Sequence, residues 1–472
     1  MLRLANFTLL CGVLGAQRPA WPSTTDGIHN FGLWDHSTPL TPQRYGNASQ
    51  LDFIWSVEAE NLRKFRAAMP HGVLSKYRGF SLNNQPTVSQ NLTWWQEHHP
   101  SWDMRLHLFV QPYSRQQWVL YKCDRATPAH YWGTAIPLDV TNPDVLDFQL
   151  HAPKVENPYS ARALVADGFD AVSLDVFGWG NYGQACGVYD EAGAWQQLYN
   201  GSVADDPAYA KGASDWVAAF YKGLARRLLL IINFSSEPGA EPTCASCLPS
   251  SLAWNASRTL FLGNHSDGAL SESGFTDFGS NVTTGAAWEN RLQHMRHLQA
   301  HGKFYADVSY WGPLNVQTKR PAPVTVAAIE YIVASWLLGN EGRAAIYMGP
   351  NDCAPPFMGP GGCAFEGWRG SQLNYSQFAA NVGTPLARAA KREVGAAAGC
   401  WTRTFARALA VVNPQAGAAC YIVLQWSAWR YTDMQGKEVQ GPSIRVPAAS
   451  ARVLLRTARL GSGGAEDEAW AG

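Results

Sequence analysis

Charged residues are scarce in this 472-residue chain, at 16%, and neither sign prevails, since 37 Lys and Arg balance 37 Asp and Glu. The chain therefore has no basic field to hold nucleic acid. Long apolar runs are missing too: no uninterrupted stretch approaches the 18 residues that predict a membrane-inserted helix. With 46% hydrophobic residues, the composition excludes a disordered chain or coiled coil and predicts a globular protein with a large core.

Tryptophan is abundant, with 20 residues in an aromatic content of 12%. Flat aromatic faces either fill a large core or stack on sugar rings. Composition alone leaves both interpretations open.

Sequons of the form Asn-x-Ser/Thr are in excess, nine where chance gives about three. They begin at Asn6, Asn47, Asn91, Asn200, Asn233, Asn255, Asn264, Asn281 and Asn374. Arg3 precedes an apolar stretch, Leu4–Leu14, that ends in small residues, which predicts a signal peptide over residues 1–16. The alternative is an incorrectly assigned start. Together these features predict a secreted glycoprotein.

Cysteine usage agrees with an oxidising compartment, because eight cysteines follow Cys11 and can all pair. Short loops favour the pairs Cys244–Cys247, Cys353–Cys363 and Cys400–Cys420, which leaves Cys123–Cys186. A lone C-x-x-C motif at 244–247 is a poor zinc site. We therefore expect disulfides and no thiol catalysis.

Short β-rich runs alternate with helical stretches through most of the chain. The candidate strands are Asp52–Val57, Gly72–Phe80, Arg105–Pro112, Gly168–Val176, Leu228–Phe234, Gly268–Ser273, Lys303–Ser309 and Ala344–Pro350; the candidate helices are Glu58–Met69, Asn142–Ala166, Pro207–Arg227, Gly285–His301 and Val324–Leu338. Eight such units predict a (β/α)8 barrel over residues 24–395. The alternative is an open doubly wound sheet, which usually carries a glycine-rich phosphate loop that this sequence lacks.

From about Cys400 the pattern changes to short strands separated by turn signals, with no long helix. These strands are Phe405–Asn413, Cys420–Trp426, Ser443–Val446 and Ala451–Leu455. They predict a small antiparallel β-sandwich over residues 396–458. Residues 459–472 are rich in Gly, Ser and Glu and are expected to be disordered.

Reactive groups of a parallel barrel sit at the C-terminal ends of its strands, which singles out a few acids. Asp175 and Glu272 end the fourth and sixth predicted strands, and Asp307 lies in the seventh. Asp35 and Glu237 are weaker candidates. Cleavage of a glycosidic bond needs two carboxyl groups that flank it, one to donate a proton and one to attack or to activate water. Asp175 and Glu272 are placed to form such a pair, although a single strand-end acid is as often a cap or an ion pair.

The run Gly168-Phe-Asp-Ala-Val-Ser-Leu-Asp175 resembles a strand of the barrel glycoside hydrolases around the endo-α-1,4-polygalactosaminidases. Asp267–Glu272 is similar to a later acidic strand of those proteins, and the segment Arg403–Leu455 is similar to the β domain that follows many of them. The resemblance implies a glycosidase that acts on an oligo- or polysaccharide without a cofactor or metal.

The same resemblance implies roles for individual side chains. Asp175 would be the nucleophile or base, and Glu272 the acid/base that holds a proton near neutral pH. Substrate contacts are expected from Asp307, Asn233, Trp179, Trp311 and Asp35. Because Asn233 is itself a sequon at a strand end, a glycan there would block the barrel mouth, and we predict that it is unmodified.

The sequence offers less support for a zinc site or for an esterase. His294, His297 and His301 share a helix face and could bind zinc, but the helix should coat the barrel and no H-E-x-x-H motif is present, so a solvated face is expected. No G-x-S-x-G motif indicates an esterase. The main alternative is a barrel that binds carbohydrate without turnover; a structural cell-wall protein is a third. The oligomeric state stays open.

Overall fold

The fold was obtained as a computed structural model of the chain. It describes residues 19–33, 48–79, 118–127, 129, 137–155, 157–175, 177–190, 192–224, 227–233, 256–272, 274–276, 281–311, 324–349, 358–359, 362–363 and 372–459. Predictions that concern Asp35, Glu237, the strand Arg105–Pro112 and the pair Cys244–Cys247 lie outside these residues.

Eight parallel strands close into a barrel in which each strand pairs with its neighbours in chain order, and the last pairs with the first. They are β1 (Asn30–Gly32), β2 (Leu51–Ile54), β3 (Val73–Gly79), β5 (Ala171–Asp175), β8 (Leu229–Asn233), β9 (Gly268–Ser271), β10 (Phe304–Tyr310) and β11 (Ala344–Gly349). The predicted (β/α)8 barrel is confirmed.

Within the described residues, seven α-helices connect these strands on the outside of the barrel. They are α1 (Leu62–Ala68), α2 (Pro143–His151), α3 (Ala161–Asp167), α4 (Pro207–Leu224), α5 (Ala256–Asn264), α6 (Gly285–Ala300) and α7 (Val326–Gly339). Side chains close three helix starts: Asn142, Ser160 and Thr325 accept from backbone N–H groups of the first turn at 2.9, 3.1 and 3.1 Å. One-turn 3₁₀ segments occur at Ala48–Gln50, Ala59–Asn61, Gln372–Asn374, Ser376–Ala379 and Gly395–Ala397.

Among the barrel strands and the helices, three differences from the sequence prediction stand out. The single helix expected over residues 142–166 is two helices, α2 and α3, because the intervening stretch contains Pro153 and Pro158, which cannot continue a helix. Helix α5 was not predicted. Strand β1 was missed as well, because three residues are too short to show a period-2 pattern.

Side chains alternate between the barrel interior and the layer beneath the helices, as the period of a strand requires. Along β10, Phe304, Ala306, Val308 and Tyr310 belong to the interior cluster, whereas Tyr305 packs with the helices. At the N-terminal end of the barrel, Trp21 stacks on Phe304 with ring centroids 4.2 Å apart. That end is filled by aromatic rings.

The C-terminal region forms two antiparallel sheets. The larger contains β14 (Ala390–Lys391), β15 (Trp401–Thr404), β16 (Ala408–Asn413), β20 (Ser450–Arg459) and β18 (Trp429–Thr432), and the smaller pairs β17 (Cys420–Val423) with β19 (Ser443–Val446). Ala410, Val412 and Val453 of the larger sheet join the barrel core beside α7, while Val411 and Leu454 face the smaller sheet. The expected β domain packed on the barrel is confirmed; its sheet begins at Ala390, a few residues before the predicted boundary.

Two short sheets complete the described strands. β4 (Tyr121–Lys122), β6 (Ala185–Tyr189) and β7 (Trp195–Gln197) form one, and β12 (Met358–Gly359) and β13 (Gly362–Cys363) form the other. The first joins the chain segments that follow β3 and β5, and the disulfide Cys123–Cys186 links them, with Cα atoms 5.0 Å apart. It therefore flanks the C-terminal end of the barrel.

Two of the four predicted disulfides fall on described residues, and both are present: Cys123–Cys186 and Cys400–Cys420. Cys400 and Cys420 lie between the two C-terminal sheets, where they contribute to the domain core. Among the described residues, no helix has the length and apolar character needed to cross a bilayer.

Candidate functional site

Asp175 ends the fourth barrel strand, β5. The strand begins shortly after Gly168, whose positive φ of 91° ends α3 in the left-handed conformation that glycine adopts readily. Both oxygens of the Asp175 carboxylate accept hydrogen bonds from neighbouring strands: Oδ1 from Asn233 Nδ2 at 2.8 Å and Oδ2 from the Tyr77 hydroxyl at 3.0 Å. The carboxylate is thus held in one orientation at the barrel mouth.

Glu272 directly follows β9, the sixth barrel strand, and is half-buried. Its Oε1 accepts a hydrogen bond of 3.1 Å from the hydroxyl of Tyr310, which ends the next strand, β10. Asn233, at the end of β8, lies between the strands that carry Asp175 and Glu272. The two carboxyl groups therefore flank the end of the fifth barrel strand.

Both acids affect the pKa values of Tyr77 and Tyr310. Burial raises the pKa of Tyr77 well above its ordinary value, and the charges of Asp175 and Glu272 raise it further. Burial also raises the pKa of Tyr310 well above its usual range, with added effects from Glu272, Tyr347 and Asp175. Both phenols therefore stay neutral and act as hydrogen-bond donors. Because the charges of both carboxylates act on each tyrosine, Asp175 and Glu272 lie around one polar space.

Strand periodicity explains why these side chains meet. Asp175, Asn233 and Glu272 each stand two residues beyond an inward-facing residue of its own strand. One such layer below, Ser173 of β5 forms a hydrogen bond with Ser75 of β3. The interior is thus apolar at its N-terminal end and becomes polar toward the mouth.

Three predicted substrate contacts do not join this group. Asp307 is buried on the opposite face of β10 from Tyr310, where its Oδ2 accepts from Ser309 Oγ at 3.2 Å. Trp311 packs into the core between barrel and helices. Trp179 donates its indole N–H to Ser214 of α4 at 2.7 Å and packs beside Phe177. Trp179 and Trp311 contact the helical layer. Asp35 lies outside the described residues.

Neither Tyr77 nor Tyr310 is among the site residues predicted from the sequence. A signal for both was available, because Tyr77 and Tyr310 occupy inward-facing positions near the C-terminal ends of predicted strands. Aromatic residues also fill cores, so the type alone was not informative. The contact with an acid gives each tyrosine a polar role.

The histidines of α6 do not form the solvated face that was expected. His294 is buried and meets the ring of Tyr305 edge-on at 5.7 Å, so the prediction is wrong for this residue. His301 is exposed, and its ring lies 4.5 Å from that of His297. The helix turns His294 toward β10 because its position is close to that of the buried Met295 and Leu298. No group of three or more His, Cys, Asp or Glu suited to a metal occurs in the described part of the chain.

Comparison with known proteins found no matching family model and no similar curated protein sequence. Among solved structures, the chain is similar to a β-L-arabinopyranosidase of glycoside hydrolase family 27 from Geobacillus stearothermophilus, at 8% identity over 93% of this chain and 98% of that one, with a TM-score of 0.47. It is similar to an α-amylase from Anoxybacillus at 9% identity, over 93% and 99% of the two chains, with a TM-score of 0.48.

A third similar structure is the cyclic α-maltosyl-(1→6)-maltose hydrolase of Arthrobacter globiformis, at 10% identity over 92% of this chain and 99% of that one, with a TM-score of 0.41. All three names denote enzymes that act on glycosides, which agrees with the prediction of a barrel glycoside hydrolase. The more specific resemblance to the endo-α-1,4-polygalactosaminidases stays a prediction. Since identities are at most 10% and TM-scores are below 0.5, these likenesses carry no inference about this chain's chemistry.

Proposed function

We propose that this protein is a glycoside hydrolase that cleaves O-glycosidic bonds of an oligo- or polysaccharide with Asp175 and Glu272. The observation that carries the proposal is the pair of acids at the ends of the fourth and sixth barrel strands, each held by a tyrosine that senses both carboxylates. Two carboxyl groups on either side of one space are what glycoside hydrolysis requires.

The hydrogen bonds favour different roles for the two acids. Asp175 accepts at both oxygens, which suits an ionised carboxylate, because a protonated acid would have to donate from one of them. Glu272 accepts from Tyr310 at Oε1. We assign Asp175 to the anomeric carbon and Glu272 to the glycosidic oxygen.

Hydrolysis of the glycosidic bond follows from these two roles. Glu272 gives its proton to the leaving oxygen while the bond from that oxygen to the anomeric carbon breaks. Asp175 either bonds to the anomeric carbon or takes a proton from the water that does so. In the first case a water, deprotonated by Glu272, then breaks the bond between Asp175 and the anomeric carbon and releases the sugar with retained configuration. In the second case the configuration inverts. The anomer formed first, observed by proton NMR, distinguishes the two courses.

Some glycosidases use a tyrosine as the nucleophile, with a carboxylate beside it. The pair Tyr310–Glu272 therefore has to be considered as an alternative. Attack by tyrosine needs the phenolate or a base that readily takes its proton. The pKa of Tyr310 is raised well above its ordinary value, by burial first and then by the charge of Glu272. This shift favours the neutral phenol, so we assign Tyr310 to orienting Glu272.

The test is an activity screen of the purified protein against α- and β-linked oligo- and polysaccharides, with Asp175→Asn and Glu272→Gln as variants. We expect each variant to lose about a thousand-fold in kcat/KM on any substrate that the wild type cleaves. Glu60→Gln, an exposed acid ahead of α1, is the control and should keep full activity. Full activity in both site variants would refute the assignment, and glycan binding without turnover in the wild type would favour the carbohydrate-binding alternative.

We also propose that the protein is secreted and glycosylated. Four described sequon asparagines are exposed, namely Asn200, Asn264, Asn281 and Asn374, whereas Asn233 is buried against Asp175. Glycopeptide mapping of protein from a eukaryotic secretory host should find glycans among the exposed sites and none at Asn233. A glycan at Asn233 would contradict the proposed role of this amide.

A further inference from the structure

A second concave surface, which shares no residue with the barrel mouth, lies at the junction between the barrel and the C-terminal domain. This junction groove is lined by Arg296, His297 and Ala300 of α6, by Glu341 after α7, and by Arg388 and Ala389 ahead of β14. Its volume is about 640 Å³. None of these residues belongs to the proposed hydrolytic site.

Positive charge is in excess here. Glu341 lies between two guanidinium groups, with Oε1 3.4 Å from Arg296 Nε and Oε2 3.8 Å from an Nη atom of Arg403. Arg388 is exposed and forms no ion pair with any residue that the structure describes. Two guanidinium groups thus flank one carboxylate, and a third, that of Arg388, lines the same groove. Like charges at short range repel.

Two of these arginines are held in place by other contacts. Arg403 donates to the carbonyl oxygens of Leu337, at the end of α7, and of Ala387, at 2.9 and 3.0 Å. Arg296 donates from Nη2 to the Ala389 carbonyl oxygen at 3.1 Å and lies 5.9 Å from the ring centroid of Trp401. A fixed guanidinium loses little freedom when it binds a ligand, which favours binding.

The ionisation of the arginines is consistent with this crowding. Burial lowers the pKa of Arg296, and the charge of Arg388 lowers it further, although Glu341 acts in the opposite direction. The pKa of Arg403 is lowered in the same way, by burial and then by Arg296 and Arg388, again against Glu341. Burial, and then the charge of His301, lowers the pKa of His297, which favours its neutral form.

We propose that the junction groove is an oxyanion-binding site, for a sulfate, phosphate or carboxylate group that is either free or carried by an acidic saccharide. Guanidinium groups bind such anions by charge-assisted hydrogen bonds. An anion between Arg296 and Arg388 offsets the positive charge that Glu341 leaves unbalanced. The site is independent of the proposed glycosidase chemistry.

Isothermal titration with sodium sulfate at constant ionic strength tests the proposal, with sodium chloride as the blank because sulfate also stabilises proteins without a site. We expect saturable sulfate binding by the wild type. Arg388→Ala removes an exposed side chain and should weaken that binding about five-fold or more, since one charge-assisted contact is lost. Arg445→Ala, an exposed arginine of β19 far from the groove in sequence, is the matched control and should bind as the wild type does.

Glu341→Gln gives a change of opposite sign. Removal of the competing carboxylate should tighten sulfate binding, and the gain should shrink as salt is added. No saturable binding by the wild type, or equal affinity in Arg388→Ala and the wild type, would overturn the proposal. Tighter binding of a sulfated oligosaccharide than of inorganic sulfate would identify a sugar-borne anion, and equal binding would identify the free ion.

Discussion

The two ends of the barrel are built from the same strands but differ in chemistry. At the N-terminal end, Trp21, Phe53 and Phe304 pack ring against ring. At the C-terminal end, the inward positions carry the acids Asp175 and Glu272. We therefore assign the N-terminal end to stability and the C-terminal end to the proposed chemistry, in keeping with the usual division in barrels of this type. Substitutions at either end can break or sharpen this contrast.

The largest effect is expected at Asn233. Asn233→Asp replaces the donor to Asp175 Oδ1 with a second carboxylate at about the same place, where the like charge opposes ionisation of the pair. We expect kcat/KM to fall about a thousand-fold near neutral pH and the acidic limb of its pH profile to move upward.

Asn233→Ala is the control for this variant, because it removes the amide without adding a charge. Its loss should be nearer ten-fold, and the acidic limb should move upward by less than in Asn233→Asp, because one hydrogen bond to the ionised carboxylate is lost without an added charge. Equal losses and identical pH profiles in the two variants would show that charge next to Asp175 is unimportant.

The opposite end should respond in stability rather than activity. Trp21→Ala removes the ring that stacks on Phe304 and meets Phe53 edge-on, with centroids 4.2 and 5.2 Å apart. We expect the free energy of unfolding to fall by about 3 kcal/mol. Denaturant titration measures this change, and kcat/KM below the unfolding transition should stay near that of the wild type.

Trp21→Phe keeps an aromatic ring in the same place and should recover most of the lost stability. If Trp21→Ala abolished activity in protein that is still folded, the two ends of the barrel would be coupled and the contrast would fail.

The sequence predicted the barrel because its longer strands are continuously apolar and alternate with helices. It also predicted that Asp175 ends the fourth strand of the barrel, but this number agrees with the structure only because two differences offset each other. Strand β1 was missed, and Arg105–Pro112, which lies outside the described residues, was counted in its place. Length explains the first difference, because a strand of three residues has no measurable periodicity.

Strand-end position was a better guide than residue type for the candidate site. The strand-end rule identified Asp175, Glu272 and Asn233, which the structure holds at one end of the barrel. It also selected Asp307, which is buried on the other face of β10. The alternation of side chains along a strand explains why Asp307 differs. It is three residues from Tyr310, which faces the barrel interior, so the two side chains point to opposite faces of β10. The junction groove has no such local signal, because its charged residues Arg296, Glu341 and Arg388 come from three separate segments of the chain.

A smaller effect is expected from the tyrosine that holds Asp175. Tyr77→Phe removes the hydroxyl that donates to Oδ2 at 3.0 Å but keeps the ring. We expect kcat to fall about ten-fold with little change in KM, because the carboxylate is less well oriented while the sugar contacts remain.

Tyr331→Phe is the matched control. It also removes one tyrosine hydrogen bond, here to the Thr283 carbonyl oxygen at 2.7 Å, but within the helical layer. Its stability loss should be similar to that of Tyr77→Phe, while its kcat should equal that of the wild type. A reduced kcat in both variants would attribute the effect to destabilisation.

The smallest effect concerns the ion pair His29–Asp52 near the N-terminal ends of β1 and β2, where His29 Nδ1 lies 2.9 Å from Asp52 Oδ2. Burial alone lowers the pKa of His29, but the hydrogen bond and charge of Asp52, together with Asp26, outweigh burial and raise it above its ordinary value. The pair therefore contributes its full stability below the pKa of unfolded histidine, and the contribution disappears as pH rises through the raised folded value.

Asp52→Asn should accordingly lower the free energy of unfolding by about 1 kcal/mol at acidic pH and by less at alkaline pH. Urea titrations of the wild type and the variant at several pH values measure the difference. In the His29→Gln background, Asp52→Asn should cost the same at every pH at which Asp52 stays ionised, because no titrating partner remains. A wild-type advantage that grew with pH would mean that Asp52 stabilises neutral His29, and the N-terminal end of the barrel would then owe its stability to the aromatic rings rather than to this charge.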